Sequence, residues 1–126
     1  MKKITIGFAI LLALFIGFNS CYYDVESQLY PDTSNCDTTN ITYSTTIRTI
    51  LQNGSCLSCH GGTGASGGGI ILDTYTGVKT VAQNGKLYGA ISYSPGYSPM
   101  PQNGGKLTNC DIKKVKIWID SGIPNN

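Results

Sequence analysis

Two cysteines and the chain's only histidine lie within five residues, in the sequence Cys56-Leu57-Ser58-Cys59-His60. Two thiols at this spacing can share one helical turn, so each can form a thioether with a different vinyl group on one edge of a haem. The histidine that follows can then ligate the haem iron. The spacing predicts one covalently attached haem c, with Cys56 and Cys59 as thioether residues and His60 as an axial ligand.

A structural zinc ion and a thioredoxin-like redox pair are the two alternatives for these cysteines. Zinc takes four ligands in a tetrahedron, and His60 follows Cys59 directly, so the two side chains cannot easily face one ion. A thioredoxin-like pair belongs in a strand–helix–strand context, and no strand signal in the sequence outweighs its helical periodicity. Haem attachment is therefore the favoured hypothesis.

Met100 is the candidate for the second axial position of the iron. It is the only methionine beyond Met1, and it lies between two prolines in Ser98-Pro99-Met100-Pro101. The prolines stiffen the loop and limit how far the thioether can swing. A thioether ligand raises the reduction potential and closes the iron to small molecules. The alternative is that Met100 fills a gap in the core, which methionine does well.

The first 20 residues have the features of a signal peptide. Lys2 and Lys3 precede an apolar stretch over residues 4–18, which is shorter than the roughly 20 residues that a membrane-spanning helix needs. Cys21 follows Ser20 directly, an arrangement that resembles the lipobox of bacterial lipoproteins. We therefore expect lipidation of Cys21; the alternative is an uncleaved signal anchor in which Cys21 has no role.

Residues 21–40 are polar and lack periodicity, as expected of a tether between a lipid anchor and a folded domain over residues 41–126. Several acyl chains on Cys21 would hold the protein stably on a membrane. We expect it in the periplasm or at the cell surface.

The chain has five cysteines, and each one needs an assignment in an oxidising compartment. With Cys21 assigned to lipid and two cysteines to haem, Cys36 and Cys110 remain as a disulfide pair. These two cysteines are 74 positions apart in the sequence. For a loop of that length the chain-entropy model suggests that a disulfide adds about 4 to 5 kcal/mol to the stability of the fold. The alternative is a pair of free, buried thiols.

The expected mature chain has a formal net charge of zero before any haem propionates are added, because seven basic and seven acidic residues remain once Lys2 and Lys3 are removed. The densest basic cluster is Lys113, Lys114 and Lys116, which is typical of the solvated face of a helix. The composition therefore does not favour a nucleic-acid partner. We expect a monomer.

Helical periodicity is the main structural signal in the predicted domain. Residues 61–69 include six glycines, and residues 93–106 hold three prolines and three glycines, so both segments are expected to be loops. We predict an all-α fold of three to five short helices around the haem, with Thr108 as the N-cap of the last helix. The predicted helical segments are 44–53, 74–83, 86–92 and 108–121.

From about Ile41 to Ile123 the chain resembles a class I monohaem cytochrome c, with a helix, the haem motif, a methionine loop about 40 residues downstream and a final helix. Cys36, the Ser-Pro-Met-Pro loop and Cys110 on the last helix are similar to small cytochrome c lipoproteins of Bacteroidota. The run of glycines after the haem motif is longer than in that family.

The resemblance implies thioethers at Cys56 and Cys59, His60 as the proximal ligand and Met100 as the distal ligand. It also implies electron transfer with redox partner proteins, and no enzymatic activity. Two alternatives stay open at this point. One is a haem enzyme or gas-binding sensor with an open distal site, and the other is a haem subunit of a larger respiratory or surface complex.

Overall fold

The structure, a computed structural model, describes residues 35–102 and 104–126. These residues form a small all-α domain without a β-strand, which confirms the predicted fold class. A π-helical turn, Tyr43–Ile47, leads directly into α1, and a short 3₁₀ turn, Ala65–Gly67, lies in the glycine-rich segment. The five α-helices are α1 (Arg48–Asn53), α2 (Leu57–His60), α3 (Tyr75–Gln83), α4 (Lys86–Ser92) and α5 (Asn109–Asp120).

Three of the helical segments begin at a threonine. In each case the threonine hydroxyl accepts a hydrogen bond from the backbone N–H three residues further on, which satisfies a donor that the helix itself leaves unpaired. The caps are Thr42, Thr74 and Thr108, with N···O distances of 3.3, 3.2 and 3.0 Å. Thr108 is thus the N-cap of α5, as predicted.

An aromatic cluster joins the π-helical turn to α3 and α5. Trp118 of α5 is fully buried, and its ring centroid lies 5.8 Å from that of Tyr43 in the π-helical turn. Tyr75 meets the Tyr43 ring edge-on at 5.0 Å. Buried apolar residues, most of them from α1, α3, α4 and α5, complete the core around this cluster. Besides Tyr43 and Trp118, the buried residues of the hydrophobic core are Ile47, Ile50, Leu51, Leu72, Val78, Val81, Ala82, Leu87, Ile91, Ile112, Val115 and Ile123.

The segment that follows α5 returns to the start of the first helix. Gly122 ends the turn with a φ of 94°, and the indole N–H of Trp118 donates to the carbonyl of Pro124 at 3.0 Å. The carbonyl of Asn126 accepts from the Ser44 N–H at 2.8 Å, and its side-chain oxygen also accepts from the π-helical turn. These bonds fix the orientation of the helix that leads to the Cys-x-x-Cys-His motif.

The predicted disulfide between Cys36 and Cys110 is confirmed. The bridge spans 74 residues and joins the beginning of the described chain to the first turn of α5, with the two Cα atoms 5.5 Å apart. The predicted signal peptide, the lipidation of Cys21 and most of the predicted tether lie outside the described residues. Among the residues that the structure does describe, no helix has the length and apolar character needed to cross a bilayer.

Candidate haem-binding site

A sharp turn between α1 and α2 presents the motif. Gly54 ends α1, and Ser55 adopts a left-handed conformation with a φ of 57°, which is uncommon for a residue other than glycine. The carbonyl of Ser55 accepts a hydrogen bond from the Ser58 hydroxyl at 2.6 Å, and the Cys56 N–H donates to the carbonyl of Leu51 at 3.0 Å. The turn therefore redirects the chain so that α2 starts immediately at the motif.

Helix α2 is only four residues long and was not predicted as a separate helix from the sequence. Cys56 is its N-cap, so Cys56, Cys59 and His60 lie on a single helical turn, as the predicted thioethers would require. Neither cysteine forms a disulfide. Cys59 is exposed, whereas Cys56 is partly buried, and this burial raises the pKa of the Cys56 thiol.

His60 is buried and its ring is held by the backbone of the glycine-rich segment. Its Nδ1 atom lies 3.0 Å from the carbonyl oxygen of Ile70. A carbonyl can only accept, so this hydrogen bond requires the proton on Nδ1 and leaves the lone pair on Nε2. Neutral imidazole in this tautomer is ready to bind a metal through Nε2. A second hydrogen bond holds the backbone of His60, since the Leu72 N–H donates to the His60 carbonyl at 2.8 Å.

The segment of residues 61–69 folds back over His60, and apart from the short 3₁₀ turn it is the predicted loop. Gly64 and Gly68 adopt left-handed conformations, with φ values of 64° and 65°. The N–H of Gly62 donates to a carboxylate oxygen of Asp73 at 2.7 Å, which fastens the start of the loop to the segment before α3. The sequence showed a glycine-rich run here, but not that the run packs against the histidine.

Met100 lies in the loop between α4 and α5 and is partly buried. Its N–H donates to the carbonyl of Ala90 near the end of α4 at 3.1 Å. Met100 is not one of the residues that form the described hydrophobic core. The alternative in which it fills a gap in the core therefore finds no support.

Met100 and the three motif residues all line one cavity of about 740 Å³, although the methionine lies 40 residues after His60 in the sequence. This volume is within the range of about 300 to 1,000 Å³ that is typical of pockets for organic ligands. The lining residues are Asn53, Gly54, Ser55, Cys56, Ser58, Cys59 and His60 from the motif side, Ser66, Gly67 and Gly68 from the glycine-rich segment, and Met100, Pro101, Gln102, Gly104, Gly105, Lys106, Leu107, Thr108 and Asp111 from the side of α5.

The donor set of this cavity fits a covalently attached haem. Two thiols on one helical turn, an imidazole with its lone pair on Nε2, and a thioether from a separate loop are the groups that such a cofactor uses. A zinc site is not supported, because residues 35–102 and 104–126 contain no cluster of three His, Cys, Asp or Glu side chains that could hold a metal ion. The thioredoxin-like alternative needs strands, which the described residues do not contain.

Several cavity residues could not be identified from the sequence. Leu107 lies close to the start of the motif, since a β-carbon built on Gly54 would be 2.8 Å from its Cδ2 atom and 3.4 Å from the Cys56 sulfur. Lys106 and Asp111 add one positive and one negative charge to the lining. No short motif marks these positions, and they line the cavity only in the folded arrangement of the methionine loop and α5.

Comparison of the chain with protein-family models, with curated protein sequences and with solved structures finds no significant match.

Proposed function

We propose that this chain is a monohaem c-type cytochrome that carries single electrons outside the cytoplasm. The observation that supports this most directly is the cavity shared by Cys56, Cys59, His60 and Met100. In this proposal the two cysteines form thioethers with haem c, and the histidine and the methionine are the two axial ligands. The lipid on Cys21 would tether the protein to a membrane.

Each part of the chain has a defined task in this proposal. The haem iron supplies the reversible one-electron change, and the protein sets its potential and access. The hydrogen bond from Nδ1 of His60 to the Ile70 carbonyl orients the imidazole and raises its basicity. Met100 would supply a soft thioether, which favours ferrous iron and would close the iron to small molecules.

The finer description of the fold is part of the same proposal. We infer a small class I cytochrome c fold in which the π-helical turn before α1 and α5 pack through Tyr43 and Trp118, while the methionine loop would cover one side of the haem. The contact between the π-helical turn and α5 supports this arrangement.

The proposal is tested first by the covalent bond. The chain is expressed with its full leader in a host that assembles c-type haem, and the purified protein is extracted with acidic acetone. We expect the haem to stay with the polypeptide, and its spectrum in alkaline pyridine to report two thioethers. Cys56→Ser and Cys59→Ser should each leave one thioether, with a shifted pyridine spectrum. Complete extraction of the haem from the wild-type protein would overturn the proposal.

Carbon monoxide distinguishes an electron carrier from a gas-binding sensor or haem enzyme. If Met100 occupies the distal position, the reduced protein binds carbon monoxide slowly, because the thioether must leave first. Met100→Ala should then bind it rapidly. Rapid, tight binding by the wild-type protein would favour the sensor or enzyme, and stable co-purification of another protein would favour a subunit of a larger complex.

A further inference from the structure

The loop that brings Met100 to the cavity is attached to α4 by its backbone at two places. At its start, the N–H of Ser94 donates to the carbonyl of Gly89 at 2.9 Å. At its end, the N–H of Met100 donates to the carbonyl of Ala90 at 3.1 Å. Both bonds use adjacent carbonyls near the end of α4, so the loop folds back over this helix. Tyr97 lies between the two attachments.

The ring of Tyr97 lies directly on the backbone of α4. A β-carbon at Gly89 would be 2.5 Å from both Cγ and Cδ2 of Tyr97 and 2.6 Å from Cε2. One helical turn earlier, a β-carbon at Gly85 would be 3.2 Å from the Tyr97 hydroxyl oxygen. The ring therefore extends along the helix from position 89 towards position 85, and it can lie this close only because Gly89 has no side chain.

We propose that Tyr97 is a positioning residue for Met100 and that Gly89 is the surface on which it is held. This inference rests on the proposed role of Met100 as the distal ligand. Tyr97 and Met100 are separated by Ser98 and Pro99, and the proline restricts the backbone between them. A displacement of the tyrosine ring is therefore transmitted to the methionine over a short, stiff link.

Tyr97 itself does not line the cavity, and its side chain is 40% exposed. Tyr97 therefore contributes to the loop through its packing against α4 and not through a contact with the cavity. Without the ring, the loop keeps the two backbone bonds but loses the side chain that covers the helix between them. The methionine then leaves the iron more often, although every ligand residue is still present.

The inference is tested with Tyr97→Ala and Tyr97→Phe in the haem-loaded protein. Two readouts follow the methionine bond: the pH at which the ferric protein loses its sulfur-to-iron charge-transfer band, and the rate of carbon monoxide binding to the ferrous protein. For Tyr97→Ala we expect binding about tenfold faster, which corresponds to about 1.4 kcal/mol, and loss of the band at lower pH. Tyr97→Phe keeps the ring on Gly89 and should behave as the wild type does.

Gly89→Ala tests the same contact from the helix side. The new methyl group must displace the ring, so this variant alone should also bind carbon monoxide faster. In a Tyr97→Ala background the methyl group meets no ring, so Gly89→Ala should add no further increase. That non-additivity identifies a direct contact between the two positions. Alanine at position 89 also favours the helix more than glycine does. The melting temperature of Tyr97→Ala/Gly89→Ala should therefore be higher than that of Tyr97→Ala.

Tyr93→Asn serves as a control at a second exposed tyrosine of the same loop. Tyr93 has a φ of 63°, a conformation that asparagine adopts readily, and its ring lies under the Lys106 ammonium group instead of on a helix glycine. The inference would be overturned if Tyr97→Ala and Gly89→Ala both bound carbon monoxide at the wild-type rate. It would also be overturned if Tyr97→Phe accelerated this binding as much as Tyr97→Ala does. If the wild-type protein itself lacks the band and binds carbon monoxide rapidly, the distal-ligand assignment fails, and this inference fails with it.

Discussion

Gly67 lies against the imidazole ring of His60. A β-carbon at position 67 would be 2.6 Å from Cε1 and 2.8 Å from Cγ of the ring, which is closer than a real side chain allows. Only glycine therefore permits the ring to stay within hydrogen-bond distance of the Ile70 carbonyl. This contact links the glycine-rich segment to the proposed proximal ligand.

Gly67→Ala should displace the His60 ring and weaken its bond to the Ile70 carbonyl. Because that bond makes the imidazole a stronger donor, which favours ferric iron, its loss should raise the reduction potential. We expect a rise of roughly 20 to 60 mV, since a hydrogen bond contributes about 0.5 to 1.5 kcal/mol. Spectroelectrochemical titration measures the change. Gly62→Asn, at an exposed position with no atom within 4 Å of its β-carbon, should leave the potential unchanged; equal potentials in all three proteins would contradict the prediction.

Removal of the disulfide should destabilise the protein without changing the haem site. In Cys36→Ser/Cys110→Ser, the free energy of unfolding should fall by up to about 4 to 5 kcal/mol, because the unfolded chain regains the entropy of a long open loop. The visible spectrum should not change, since neither residue lines the cavity. Denaturant titration of the haem-loaded protein measures the stability, with reduced wild type as a comparison. An unaltered unfolding curve would show that the bridge is absent or ineffective.

Stability at alkaline pH should depend on Tyr43. Burial, assisted by the charge of Asp73 and opposed by that of Arg48, raises the pKa of the Tyr43 hydroxyl above its ordinary value of 10.0. As the pH rises above this value, the unfolded chain loses the proton while the folded protein retains it. Folding stability is therefore unaffected below that pH and falls as the pH rises towards the folded-state pKa.

Tyr43→Phe has no proton to lose, so its free energy of unfolding should fall less steeply than that of the wild type between about pH 9 and about pH 11. Near neutral pH the two proteins should differ little, because phenylalanine keeps the ring between Tyr75 and Trp118. Tyr93→Phe, which alters a tyrosine that is more than one-third exposed, is the matched control. Parallel curves for wild type and Tyr43→Phe would disprove the assignment.

Electron exchange should depend only weakly on salt, because the polypeptide without its proposed signal peptide has a formal net charge of zero. The charged residues are distributed unevenly along the chain. The described residues, 35–102 and 104–126, include seven basic and four acidic residues, whereas Asp24, Glu26 and Asp32 precede them. The described polypeptide alone therefore has a formal charge of +3 before any haem propionates are added, which the acidic residues before it offset.

The variant Asp24→Asn/Glu26→Gln/Asp32→Asn removes this offset. Its rate of electron exchange with an acidic redox protein should fall more steeply than that of the wild type as ionic strength rises from about 0.01 M to about 0.15 M, where the Debye length shortens from about 30 to about 8 Å. Stopped-flow mixing measures both rates. Thr33→Asn/Ser34→Asn changes the same segment without a change of charge and should match the wild type. A steep salt dependence in the wild-type protein would contradict the prediction.

Much of this protein was predictable from local sequence patterns. Apolar periodicity predicted α1, α3, α4 and α5, because side chains three and four residues apart share a helix face. The cysteine count predicted the bridge between Cys36 and Cys110 once Cys21 had been assigned to lipid and Cys56 and Cys59 to haem. Helix α2 was missed because four residues are too few to show a period, and the turn at Ser55 that starts it has no sequence signal.

Only the tertiary structure decided how the candidate ligands meet. The shared cavity of His60 and Met100, the bond from His60 to the Ile70 carbonyl, and the packing of Gly67 on its ring all join residues that are 7 to 40 positions apart. The same is true of Tyr97 on Gly89. Local patterns report which face of a helix is buried, but contacts of this kind depend on how loops and helices pack together. The residue types thus define the chemistry, and the packing defines where it takes place.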